Sequence, residues 1–418
     1  MWFSGKIWDG TKEFEGALSV DYRGRIDAIR TGFAAEGTVF DSDCLIQAGD
    51  FNAHSHPEQS IYTDIVDPSW DLGTWCRHTI YRHSVSLTAR SVRLACRRAF
   101  GRMVRLGVSS VMVSFYLHGN RDNENARAVI AAARDVGIRL VFGRMNYDII
   151  NENAYEGKKA SQKSYYEPIE VAARNVRELM SEEDDLVTVC PALHSFHANT
   201  PQAIAAGIRL GAELNRPVQL HLSEDQGDVK LSLDAFGVRP LVYLQQLADR
   251  GEIPGLDGLI FSDCCWLDDD ERSVLAKGRA KVVLNARMNA RVKAGFPDLP
   301  AMLASGVVPW LGTDGEASND DLSVSGERAF LAKKFSGVVR PQTIERLGQA
   351  PFFCGTSTVG DLRVGGWADF RVLRRGKVSE LFVGGRQVLR DGRLTQLDEE
   401  RDIEAPLADE VARLTGGK

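Results

Sequence analysis

The chain has 418 residues, 44% of them hydrophobic, with a formal charge of −6 at pH 7 and no basic cluster; this argues against nucleic acid or an anionic membrane surface as its main partner. It has no apolar run of about 18 residues, so no membrane-spanning helix is expected, and Met1-Trp-Phe-Ser-Gly-Lys6 lacks the basic start and long apolar core of a signal peptide. Seven scattered cysteines (Cys44, Cys76, Cys96, Cys190, Cys264, Cys265 and Cys354) without a C-x-x-C pair fit reduced thiols, not a disulfide framework or zinc ribbon. The expectation is a cytoplasmic protein.

Residues 1–47 read as β structure, with short alternating segments at Gly5–Trp8 and Ala17–Tyr22 broken by Asp9-Gly10 and Arg23-Gly24. The far end has the same texture: Gly365–Leu373, Val378–Val383 and Arg386–Leu389, with turns at Gly384-Gly385 and Asp391-Gly392. The two terminal pieces, 1–47 and 360–400, are expected to pair into one small β-sandwich domain packed closely on the rest, with 401–418 as a C-terminal tail.

Between them strand and helix alternate. Ala48-Gly-Asp-Phe-Asn-Ala-His54-Ser-His56-Pro57 reads as a strand running into a His-x-His pair. Residues two apart on a strand point the same way, so both imidazoles can aim at one metal ion. A helix over Thr88–Leu106 ends at Gly107, Val108–Phe115 is a buried strand, and Asn123–Val136 is a helix stopped by Gly137. Strands follow at Arg139–Gly143, Leu186–His194, Val218–Glu224, Gly258–Asp263, Lys281–Asn285 and Val307–Asp314. The helices between them fall near Pro168–Met180 and at Pro201–Asn215, Pro240–Arg250, Asp268–Lys277 and Leu299–Ser305. Eight such units over 48–359 predict a (β/α)8 barrel of the TIM type, whose active site lies where strands end. His54, His56, His194, His221, Glu224, Asp263, Asn285 and Asp314 all fall at those ends. Three histidines and one aspartate around an open position can hold zinc or iron with a reactive water, and Glu224, three residues after His221, can relay protons beside it.

With these residues in place, the sequence resembles the amidohydrolase superfamily. It is most similar to the branch of metal-dependent aminohydrolases that holds S-adenosylhomocysteine/methylthioadenosine deaminases, guanine deaminase, triazine chlorohydrolases and formiminoglutamate deiminases. Ala48–His56 is similar to that branch's PGxxNxHxH, Leu193-His-Ser-Phe-His-Ala-Asn-Thr-Pro201 to its strand-4 HxPY-type segment, and Gln219–Glu224 to HxxE. Leu311-Gly-Thr-Asp-Gly-Glu-Ala-Ser-Asn-Asp320 is similar to GTDGxxSN, and Gly360–Phe370 to the tail's GxxxxGxxAD.

The resemblance implies one divalent metal, zinc or ferrous iron, on His54, His56, His221 and Asp314, since strand 4 offers no lysine for the carbamate bridge of binuclear members. It implies attack of a metal-bound hydroxide on an sp² carbon, with Asp314 accepting the water's proton, Glu224 supplying one to the leaving nitrogen, and ammonia released. His194, His197, Trp75 in the segment where relatives build a lid, and Asn289 in the strand-7 segment are the substrate-binding candidates. Many relatives are homodimers or larger. Two departures stand out. Asp263, in Phe261-Ser-Asp-Cys-Cys-Trp-Leu267, replaces the usual strand-6 histidine, which orients the nucleophile, and Leu284 replaces the histidine of the strand-7 HNPxxN segment. Asp263 is therefore a third catalytic candidate. Alongside hydrolysis of a C–N bond in a small heterocycle or amidine stand two other readings: a changed reaction (non-deaminating hydrolysis, lyase or cyclisation) and ligand binding without turnover.

Overall fold

A computed structural model describes residues 1–118, 122–348, 352–354 and 357–416. The first five strands are β1 (Trp2–Trp8), β2 (Glu13–Val20), β3 (Ile26–Thr31), β4 (Thr38–Val39) and β5 (Cys44–Ala48). The barrel strands follow as β6 (Asp50–Ser55), β7 (Val108–Phe115), β8 (Arg139–Asn146), β9 (Val187–Leu193), β10 (Val218–Leu222), β11 (Leu259–Asp263), β12 (Lys281–Leu284) and β13 (Trp310–Leu311). Each pairs in parallel with the next in sequence. The ring closes where the main-chain N–H groups of Thr313 and Asp314 both donate to His54 O at 3.1 Å. Gly312 permits that approach: a β-carbon there would fall 2.8 Å from the His54 β-carbon and 2.4 Å from Asn285 Oδ1. Helices cover the outside, so strands such as β7 are buried along their full length and read as unbroken apolar or small runs.

The helices begin and end where capping chemistry directs. Thr88 and Ser91 form a reciprocal capping box for the helix Ala89–Arg105, and Asp268 and Glu271 do so for Asp269–Lys277. Several helices were not expected, among them Val324–Lys334 beyond the last barrel strand and two beside the barrel mouth. Glu156–Tyr165 is polar over most of its length and offers no apolar period to read. Gln226–Phe236 is framed by the N-cap Asp225 and by Gly237 in the left-handed region, and its few buried residues (Asp228, Val229 and Ser232) give it little apolar face. Both border the mouth of the barrel.

The chain end adds β14 (Phe352–Cys354), β15 (Ser357–Val359), β16 (Phe370–Arg374), β17 (Lys377–Val383), β18 (Arg386–Arg390) and β19 (Arg393–Leu394). The terminal pieces do pair: β5 lies between β1 and β16 in one nine-stranded sheet ordered β19-β18-β17-β16-β5-β1-β2-β3, with β4 beside β1. The two-layered character comes from this single sheet curling over, so that Ala368 N–H reaches Gly24 O in the turn after β2. Its core holds Phe3 edge-on to Phe370 and Phe382, at 4.9 and 5.0 Å between ring centroids. Buried ion pairs fasten it to the barrel: Arg139 of β8 grips Asp369 with both guanidinium arms at 2.6 and 2.9 Å, and Asp50 of β6 joins Arg371 of β16.

Residues 405–415 form a helix packed on Ala89–Arg105, with Ile403 and Leu407 buried and Glu410 accepting from Ser91 Oγ at 2.8 Å. Six described cysteines are free thiols; the Cys354 side chain lies outside the described residues. No helix among the described residues is long and apolar enough to cross a membrane.

Candidate active site

The His-x-His pair sits on the last turn of the β6 ladder and just beyond it. Both rings point inward at the mouth of the barrel, where His221 from β10 and Asp314, three residues past β13, meet them. One ligand atom from each of the four residues lies within 4.8 Å of every other, and all four side chains are buried. Nε2 of His54 and of His56 stand 3.3 and 3.4 Å from Asp314 Oδ1, and the Nε2 atoms of His56 and His221 are 3.2 Å apart.

The outer nitrogens explain this convergence. Nδ1–H of His54 donates to Gln219 Oε1 at 2.9 Å, that of His56 to Ser114 O at 2.5 Å, and that of His221 to His194 O at 2.8 Å. Each acceptor is a carbonyl oxygen, so each Nδ1 must carry the hydrogen and each Nε2 presents a lone pair to the centre. Asp314 Oδ2 accepts from Ser318 Oγ at 2.8 Å, which turns Oδ1 inward. Three lone pairs and a carboxylate oxygen thus crowd one point with no donor among them, and His54 Nε2 is buried without a hydrogen bond. Such a donor set fits a divalent cation of borderline character. Burial pulls His56 down to about 3, with Asp314 opposing only in part, and holds His221 below its ordinary value, so both rings are neutral. At His54 burial acts downward too, but the Asp314 carboxylate outweighs it. Asp314 itself is held far below the usual carboxylate range by these histidines in spite of its burial.

A cavity of about 900 Å³ opens above the four ligands. Tyrosines 116, 147 and 165 line it on one side, and the helix Leu72–His78 roofs it with Trp75, whose Nε1–H donates to Ala317 O at 3.1 Å. Glu224 borders it half-buried. Burial, with the charges of Asp263 and Asp314, pushes its carboxyl well above the usual range and so favours the protonated form. His194 and His197 both line the wall, whereas His78 stacks on Trp70 and His83 packs near Tyr62, away from it.

Asp263 stands at the end of β11, completely buried. Its Oδ1 accepts from Asn285 Nδ2 at 2.8 Å and from Asn289 Nδ2 at 3.0 Å, and its Oδ2 has no partner. It is outside the four-ligand group, although its charge acts on His54, His221 and Glu224. Asn289, expected at the substrate, is fully buried behind the cavity wall because its amide is committed to Asp263. Cys264 and Cys265 are buried thiols with raised pKa values and stand apart from the ligands. Ser223, Asp263, Cys264 and Asp314 all adopt left-handed backbone, at φ 49, 76, 51 and 56°. For non-glycine residues this conformation stores about 1 kcal/mol or more each, and such strain gathers at functional sites.

Gln219 and Ser114 were not foreseen. Gln219 lies two residues before His221 and so shares its face of the strand, a signal the period of two carries. A second cavity of about 810 Å³, between the terminal sheet and the base of the barrel, contains none of these residues.

Comparison with known proteins agrees with this geometry. The chain is 26% identical, in an alignment of 434 positions that covers 95% of this chain and 93% of the relative, to a 5-methylthioadenosine/S-adenosylhomocysteine deaminase of Syntrophobacter fumaroxidans. It is 25% identical to a 5'-deoxyadenosine deaminase of Methanopyrus kandleri, over 86% of this chain and 84% of that one. Among solved structures, an adenosine deaminase from Xanthomonas campestris with bound zinc superposes with a TM-score of 0.82 at 20% identity, covering 99% of this chain and 97% of that one. Atrazine chlorohydrolase from Arthrobacter aurescens, complexed with zinc, does so with 0.81 at 17% identity, covering 99% of both. The profile of the Amidohydrolase family matches residues 45–388, a span that contains the whole barrel and every residue of the site, and the chain belongs to that family.

Proposed function

We propose that this protein is a mononuclear metal-dependent hydrolase that cleaves a C–N bond of a small heterocycle or amidine, with one zinc or ferrous ion held by His54, His56, His221 and Asp314. The observation that carries this reading is the convergence of three imidazoles, each locked in its Nδ1–H form, with one carboxylate oxygen at the foot of the cavity. When bound, such a cation acts as a Lewis acid and lowers the pKa of water toward about 7.

The chain's own groups supply the rest. Asp314, its Oδ2 anchored by Ser318, offers Oδ1 to take the proton of the attacking water. Glu224, whose burial favours the protonated carboxyl, gives a proton to the ring or amidine nitrogen of the substrate. A C–O bond forms as the water oxygen adds to the carbon; the bond to the –NH2 group then breaks, the proton taken by Asp314 completes ammonia, and the proton left on the added hydroxyl returns to Glu224. Trp75, His194 and His197 bind the substrate in the cavity, while Asn289 acts indirectly by positioning Asp263. The relatives named as deaminases of adenine nucleosides put purine nucleosides first in the set to be tried. A second reading, a changed reaction at the same metal, is favoured by the carboxyl side chain of Asp263 where the family pattern has an imidazole.

Elemental analysis of protein purified without chelator is expected to give about one equivalent of metal per chain, and His56→Ala is expected to give none. Ammonia release is then assayed across purine nucleosides, pterins, triazines and formimino compounds. A wild-type protein that stays metal-free after zinc or iron loading overturns the reading, whereas metal binding without ammonia from any compound moves it to the changed reaction.

A further inference from the structure

His194 faces the cavity, with its ring 5.0 Å from that of the ligand His221. Its Nδ1 is 2.9 Å from Ser195 Oγ. The same hydroxyl, fully buried, lies 3.0 Å from His197 Nδ1, and His197 Nδ1 lies 2.8 Å from Asp228 Oδ1. Asp228 is itself buried, and its other oxygen receives the main-chain N–H of Glu224 at 3.4 Å. Four side chains therefore form one hydrogen-bonded row from the edge of the metal site to the helix Gln226–Phe236.

Donor and acceptor roles along the row are fixed from its outer end. A carboxylate only accepts, so His197 Nδ1 carries the hydrogen it gives to Asp228. A protonated Nδ1 cannot accept, so the buried Ser195 hydroxyl, which at most shares the hydrogen that His197 directs to Asp228, turns its own hydrogen on His194 Nδ1, the acceptor left to it in the row. His194 Nδ1 is then the acceptor, and in the neutral ring the hydrogen sits on Nε2. We propose that Asp228 and Ser195 are positioning residues that hold His194 as an Nε2–H donor and His197 as an Nε2 acceptor, so that the cavity selects a planar nitrogen heterocycle offering a ring acceptor to the first and an N–H or hydroxyl to the second. The metal ligands show the opposite form, with hydrogen on Nδ1. His194 is set apart from them by a serine hydroxyl where each of them has a carbonyl oxygen. The choice of substrate class rests on the hydrolase reading above; the tautomers do not.

The first test is long-range proton–nitrogen correlation NMR at pH 8 on zinc-loaded protein with 15N-labelled histidine, each ring assigned by its disappearance in His194→Gln or His197→Gln. The expected spectrum has His194 in the Nε2–H form and His197 in the Nδ1–H form. In Ser195→Ala and Asp228→Asn the His194 signals are expected to shift toward a tautomer mixture, and Ser195→Thr, which keeps the hydroxyl, is expected to restore the wild-type pattern. His194 found as Nδ1–H in the wild type, or unchanged in both variants, overturns the relay.

The second test is calorimetric binding of purine and of its 1-deaza, 3-deaza, 7-deaza and 9-deaza analogues to the zinc-loaded protein. Removal of one ring nitrogen is expected to weaken binding about tenfold in the wild type, and by less than threefold in Asp228→Asn. Equal affinity across the set, or no binding of purine, overturns the substrate class while leaving the tautomer result to stand by itself. Ammonia release plays no part in either test, so failure of the hydrolase reading is seen separately.

Discussion

Gln219 accepts the Nδ1–H of His54 across the barrel, from the fifth strand to the first, at 2.9 Å. Its amide is engaged at both ends: Nε2–H donates to Ala53 O at 2.9 Å, and Oε1 also accepts from Ser114 Oγ at 2.6 Å. The donation to Ala53 fixes which end of the amide faces His54, and so makes His54 present a lone pair inward. One side chain that touches no metal thus ties strands β6, β7 and β10 together behind the site.

Gln219→Leu keeps the bulk and removes the acceptor. Outer partners of ligating histidines are worth roughly 10- to 100-fold in metal affinity. The variant is expected to lose zinc affinity by about that factor in competition with a chromophoric chelator, with its fold and cavity retained. An affinity equal to wild type would remove Gln219 from the metal site.

Glu224 offers a sharper separation of binding from turnover. Burial and the nearby Asp263 and Asp314 push its carboxyl well above the usual range and so favour the protonated form, which suits a proton donor to the substrate. Glu224→Gln preserves the shape but cannot pass a proton, so turnover is expected to fall by about 10²- to 10⁴-fold with metal content unchanged. Loss of metal in this variant would reassign Glu224 to the ligand set.

How much of this was legible in the sequence depends on the kind of signal. His54, His56, His221 and Asp314 were readable because side chains on strands repeat every two residues and barrel strands end at one mouth. The ladder from β6 to β13 was readable because buried parallel strands are apolar runs bounded by glycine and capping residues. The helix Glu156–Tyr165 was not, since its polar sequence has no apolar face and its place is fixed by contacts such as Ser161 Oγ to Tyr81 O. Asn289 was placed at the substrate because a segment pattern cannot show that its amide would go to a carboxylate at the end of the preceding strand. Nor could it foresee left-handed backbone at Asp263, where no alternation rule applies.

Acid should loosen the joint between barrel and terminal sheet. Burial alone would raise the Asp50 carboxyl, but Arg328 and Arg371 outweigh it and lower it to about 2. A group lowered on folding adds stability that is complete above its unfolded pKa, near 4, and is lost as pH falls from about 4 to about 2. The difference is worth about 2–3 kcal/mol. Urea midpoints measured from pH 6 to pH 2 are therefore expected to fall more steeply in the wild type than in Asp50→Asn, with the two approaching each other near pH 2. Parallel curves across the range would show that this pair does not set the acid limit.

Asp263 decides whether the departure from the family pattern is functional. Oδ1 takes two amide hydrogens, from Asn285 and Asn289, and these hold the side chain in one orientation. Oδ2 is then a buried oxygen without a partner, an arrangement that costs about 1–3 kcal/mol unless something fills it. A cation would fill it by coordination; a water or a substrate N–H would fill it by donation. A histidine here could accept or donate as its tautomer changed, whereas Oδ2 of an ionised Asp263 can only accept. Asp263→Asn separates these cases. With its oxygen still facing the two asparagines, the new amide puts a donor where Oδ2 was. Turnover is expected to drop by about 10²-fold or more, in the range typical for a misplaced catalytic partner. Metal content then tells which function was lost: retained metal assigns Oδ2 to the water or substrate, and lost metal assigns it to the ligand set. Asp263→His is expected to impair the native reaction as well, because imidazole cannot accept both amide hydrogens. An active enzyme in which Asp263→Ala changes neither turnover, metal content nor binding would leave the carboxylate without a role.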